Sequence, residues 1–113
     1  MIGLVLYPDG EIRELDVDLA RTDVLLAALD STDVMRLDVS PTLVLFLDPW
    51  ATRDVAPVNV YATLVLLGAD HNDAPRNAIH GPAILFGRSL DDEPDDVPAR
   101  LVGFLSSIAE SLP

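Results

Sequence analysis

The segment Thr42 to Leu47 (TLVLFL) is continuously apolar and lies between two breakers, Ser40-Pro41 and Asp48-Pro49. A strand with one wet face alternates polar and apolar residues. One without alternation is expected where both faces are buried, or at the centre of a sheet. That expectation sets the architecture, because other segments must then supply flanking strands and helices.

The chain supplies them. Ile2 to Tyr7 is a short apolar run, Pro8-Asp9-Gly10 has turn chemistry, and Glu11 to Val17 alternates imperfectly, so a hairpin is expected. A first helix should start at Thr22 as N-cap, with Asp23 in its positive first turn and Val24, Leu25, Leu26 and Leu29 on its apolar face, ending near Asp30-Ser31. Val34 to Val39 alternates as a strand. Asn59 to Gly68 carries β-branched residues, but Asn59 suits an N-cap and Gly68 a helix stop, and helix is the favoured reading. Asp70 to Asn77 reads as a polar loop and Ile79 to Gly87 as a strand, with Gly81-Pro82 marking a bulge or edge. After Val97-Pro98, the residues Leu101, Val102, Leu105, Ile108 and Leu112 recur at helical spacing. The expected fold is α+β: one small domain over residues 1–113, with a mixed or antiparallel sheet of about five strands packed against two or three helices.

Composition narrows the function. Half the residues are apolar, which excludes intrinsic disorder, and a chain of 113 residues is long enough for one core. Nineteen acids face seven bases, net charge -12, and every base is Arg. Such a surface repels nucleic acid and anionic membranes and attracts basic partners. The absence of cysteine removes disulfides, thiol catalysis and thiolate metal sites. The start of the chain has no basic n-region, and no apolar run approaches the roughly 18 residues of a membrane span. A cytoplasmic location is expected.

Four segments carry a resemblance: Tyr7-Pro8-Asp9-Gly10, Thr42 to Asp48, Pro57-Val58-Asn59-Val60-Tyr61-Ala62-Thr63, and Ile79-His80-Gly81-Pro82-Ala83-Ile84-Leu85-Phe86-Gly87. In this order they resemble the small domain-of-unknown-function family DUF3846, borne by phages and plasmids. The resemblance implies a compact α+β domain on a mobile element. It brings no catalytic residues.

The candidate functional residues are few. His71 sits in Asp70-His71-Asn72-Asp73, a ligand-rich run without the spacing of a calcium loop, and a solvated loop explains it better. His80 would serve as a general base if a nucleophile stood beside it; a packed or edge histidine is the simpler reading. No Ser lies in a Gly-x-Ser-x-Gly elbow, and without Lys the usual phosphate loop cannot form. No metal or other cofactor is expected. Asn59, with Tyr61 and Trp50, is a candidate recognition groove, against a plain N-cap role for Asn59. Asp91, Asp92, Asp95 and Asp96, with Asp16, Asp18 and Asp23, are candidates for an acidic binding face.

These readings point to a non-enzymatic accessory protein of a mobile element that acts by binding another protein, one with a basic surface. One alternative is an acidic DNA mimic that inhibits a nucleic-acid-binding host protein. Another is a small-ligand module or enzyme around His80 and Asn59. Direct nucleic-acid binding is not expected. A homodimer is a further expectation, buried through the apolar strand Thr42 to Leu47 and the last helix.

Overall fold

The computed structural model describes residues 1–18, 20–51, 56–68, 79–101 and 103. Strands β1 (Ile2–Leu6) and β2 (Ile12–Asp16) form the expected hairpin, with Leu4 opposite Glu14. Its turn is closed by the Tyr7 N–H donating to the Glu11 carbonyl (2.9 Å), and Gly10 takes φ +94°, where a side chain would be strained. Helix α1 (Thr22–Leu29) follows, then β3 (Met35–Ser40), β4 (Leu43–Leu47), helix α2 (Val60–Gly68), β5 (Ala83–Arg88) and the two-residue β6 (Pro94–Asp95). Residues 99–101 and 103 are helical as well.

The six strands form one antiparallel sheet in the order β2-β1-β5-β4-β3. Strand β5 is the spine. Its first half pairs with β1 (Leu4 opposite Leu85), and beyond β1 it pairs with β6 (Gly87 opposite Asp95). On its other side it runs along the whole of β4. Strands β2 and β3 are the two edges.

Both faces of this sheet are covered. On one, Leu4, Leu6, Leu45, Leu47 and Leu85 pack beneath Tyr61 and Ala62 of α2, with Val97 and Leu101 beside them. On the other, Val5, Val44, Ile84 and Phe86 pack beneath Leu25 and Leu29 of α1. Phe46 and Phe86 meet edge to face there, centroids 5.6 Å apart. The lack of alternation in β4 has the expected cause: it is an inner strand with a helix layer on each side. Gly3 is needed where the Phe86 ring crosses β1, since a Cβ would lie 2.6 Å from a ring carbon.

Several expectations need correction. Thr22 is the first helical residue rather than the cap. Arg21 holds the cap position without a side-chain cap bond. Strand β5 begins at Ala83, four residues later than its apolar run, because Gly81 (φ +75°) and Pro82 interrupt it and His80 makes only an isolated bridge to Val58. The sixth strand lies in a segment that showed only charge. Strand β4 lies inside the sheet, between β3 and β5, so its backbone is paired on both sides within the chain. The expected loop around His71 and the end of the last helix lie outside the described residues.

Candidate functional site

Asn59 is fully buried. Its Oδ1 accepts from the Ala62 N–H (3.1 Å), which is an N-cap bond to the third residue of α2. Its Nδ2 donates to the carbonyls of Leu6 and Gly81, both at 2.8 Å. Its backbone N–H donates to the Ile79 carbonyl, and its carbonyl accepts from the Thr63 N–H and hydroxyl. The Thr63 hydroxyl in turn accepts from the Ile79 N–H (3.1 Å), and the Gly81 N–H donates to the Pro57 carbonyl. The motif residues Pro57, Asn59, Thr63 and Gly81 thus form one hydrogen-bonded node that docks α2 on the ends of β1 and β5.

This geometry corrects the expected recognition groove. Asn59 has no polar atom to offer, and Tyr61 is only 3% exposed, its ring edge against Gly10 of the hairpin turn. Trp50 does not join them and is 70% exposed. It lines an open hollow with Asp30, Ser31, Thr32 and Asp48. No local pattern announces that grouping, because the α1 terminus and the turn after β4 meet only through the fold.

His80 is half-buried. Its Nδ1 lies 3.0 Å from the Ala56 carbonyl, which can only accept, so Nδ1 carries a proton and Nε2 is the nitrogen left for other chemistry. Among the described residues, no three His, Asp or Glu side chains converge as a metal site.

The acidic residues divide into structural and exposed groups. Asp92, with φ +64°, bonds the guanidinium of Arg88 (2.9 Å), and its carbonyl accepts from Arg36. Arg88 also donates to the Ser40 carbonyl (3.0 Å), so this cation ties the turn after β5 to the end of β3. Asp96 accepts from the Ile2 N–H (2.7 Å) and holds β6 in line with β1. Asp91, Glu93 and Asp95 are exposed, and no ion pair engages them among the described residues. Asp16, Asp18 and Glu93 line a second open hollow beside Met1 and Pro94. The fold therefore joins acids from the start of the chain to acids near its end. The Met1 ammonium lies 3.1 Å from Asp16, and this hydrogen bond raises its pKa above the ordinary value. Asp23 is separate, paired with Arg21 at 3.0 Å at the start of α1.

No helix among the described residues is long and apolar enough to cross a membrane. No family model matches the chain, and neither a curated protein nor a solved structure shows significant similarity to it.

Proposed function

We propose that this protein is a non-enzymatic accessory factor that binds a basic surface of another protein through its acidic flank. The supporting observation is the convergence of Asp16, Asp18 and Glu93 on one open hollow, with Asp91 and Asp95 exposed in the same β6 segment. Carboxylates from two distant stretches make a field on one side that scattered acids would not. Among the described residues that line this hollow, the Met1 ammonium is the one cation. The resemblance to a phage- and plasmid-borne family supports a role on a mobile element.

The structural bonds of Asp92 and Asp96 define the test of this face. Asp92 and Asp96 brace the fold, so the informative variant leaves them intact and combines Asp18→Asn, Asp91→Asn, Glu93→Gln and Asp95→Asn. A matched control removes four charges elsewhere: Glu11→Gln, Glu14→Gln, Asp30→Asn and Asp33→Asn. Tagged wild-type protein is expected to retain basic proteins from a lysate, to release them as salt rises, and to lose them in the flank variant alone. Equal retention by the flank variant and the control sinks the proposal. Captured proteins that themselves bind nucleic acid would specify a DNA-mimic mode.

A further inference from the structure

The hollow lined by Trp50 lies at the end of the sheet away from the acidic flank. Strand β4 leaves the sheet at Leu47, level with Ala83 and so with Leu6 at the end of β1. The Asp16 hollow lies instead beside Ile2, where β1 begins. Just beyond Leu47, Asp48 and Trp50 meet Asp30, Ser31 and Thr32 from the C-terminal end of α1. The hollow has a volume of about 320 Å³, at the small end of ligand sites, which run from about 300 to 1,000 Å³. That size suits a single side chain better than a nucleotide.

The lining chemistry selects the occupant. Trp50 is the one Trp of the chain and stays 70% exposed, although an indole is among the largest apolar side chains a fold can bury. Its backbone is held in place: the Trp50 N–H donates to Asp48 Oδ1 (2.9 Å), and the Ala51 N–H to the Asp48 carbonyl (3.3 Å). Asp48 Oδ2 is left for a ligand. Asp30 caps α1 in the left-handed conformation, φ +51°. Among the described residues, neither Asp30 nor Asp48 makes an ion pair. The Ser31 hydroxyl is already engaged by the Asp33 backbone and acts as wall.

An indole and two unpaired carboxylates around one hollow suit a cation with a flat face. A guanidinium meets both demands, stacking on the ring while its planar fork of N–H donors reaches carboxylates. A lysine ammonium is compact and more strongly hydrated, so it gains less there. A bound metal ion is a poorer fit, since among the described residues no three acidic or imidazole ligands converge. The hollow at the acidic flank lacks an aromatic residue and already holds the Met1 ammonium.

We infer that this hollow binds an arginine side chain of a protein partner, with Trp50 stacking on the guanidinium and Asp30 and Asp48 accepting its N–H donors. The inference does not rest on the acidic flank, which involves other residues. One arginine held at about millimolar affinity orients a partner but does not retain it through washing, so capture by the flank reads different contacts.

The test is a titration of the intact protein with Nα-acetylarginine amide at low salt. With one Trp in the chain, tryptophan fluorescence and the indole N–H signal in NMR spectra report from this hollow. A saturable change is expected, with about millimolar affinity that weakens as salt rises. Nα-acetyllysine amide should bind more weakly, and the uncharged isostere Nα-acetylcitrulline amide should give no saturable change. Asp30→Asn suits the left-handed cap, and Asp48→Asn keeps an Oδ1 acceptor for the Trp50 N–H, so both variants should fold. Each should weaken arginine binding about fivefold. Trp50→Leu, followed by the amide signals of Thr32 and Asp48, should also weaken it about fivefold. The flank variant should bind as wild type does. No saturable change, equal binding of citrulline, or hollow variants that bind like wild type would each overturn the inference. So would a flank variant that loses arginine as fully as the hollow variants, because the general field would then be the attractant. Saturable binding of methyl β-glucoside in place of arginine would overturn it as well and assign the hollow to a neutral sugar.

Discussion

The side-chain amide of Asn59 bonds three backbone groups in three separate segments: Leu6 at the end of β1, Gly81 before β5, and Ala62 in α2. Truncation leaves two carbonyls and one N–H without that partner in a dry site. With about 1–3 kcal/mol for each unsatisfied group, Asn59→Ala should cost about 3 kcal/mol or more. That is a large part of a typical domain stability of roughly 5–15 kcal/mol. Urea denaturation should show a much lower midpoint. Asn59→Asp keeps the cap acceptor but replaces the two donors with a buried charge, so it should be severely destabilised at neutral pH. It should recover partly in acid, where the protonated carboxyl regains one donor. Equal stability of Asn59→Ala and wild type would remove the node from the account of the fold. The N-cap role of Asn59 was legible from Asn59 and Gly68 bracketing an apolar run. The two bonds to Leu6 and Gly81 were not, because their partners are backbone atoms far away in sequence.

The elements depend on burial more than on their own ends. Helix α1 has no side-chain cap, and its start is trimmed only by the Arg21–Asp23 pair. The Arg21 hydrogen bond holds the Asp23 carboxyl below its ordinary pKa. A lowered folded-state pKa means the unfolded chain binds the proton more tightly. This pair therefore contributes stability above the unfolded carboxylate pKa of about 3.9, and the contribution is lost as pH falls through the folded value. Arg21→Gln should return the Asp23 titration, followed by NMR, toward the ordinary value, with little change in the thermal midpoint at pH 7. A large fall there would show that the pair does more than an exposed ion pair does. Helix α1 persists because Leu25 and Leu29 are buried against β1, β4 and β5, at roughly 1.5–3 kcal/mol for each such side chain. Strand β6 shows the opposite limit. It has two residues and no apolar pattern, and it pairs where Gly87 lets the Asp96 backbone come close. Nothing local announces such a strand.

A chain with net charge -12 repels itself when folded, and salt screens that repulsion. Among the described residues the ion pairs are mostly exposed, those of Arg88 apart, so screening them removes less than it relieves. Thermal stability should therefore rise from low salt to moderate sodium chloride, measured by calorimetry at pH 7. A falling midpoint would mean that local ion pairs outweigh the global repulsion. The α+β class, the β1–β2 hairpin, the inner position of β4 and the helical state of Val60–Gly68 were all readable from periodicity and breakers. These are local patterns that report which faces are buried. Strand order, the sixth strand, the exposure of Trp50 and the division of the acids into braces and free carboxylates were decided by tertiary structure alone. They depend on which distant segments share a face, and residue spacing along the chain carries no record of that.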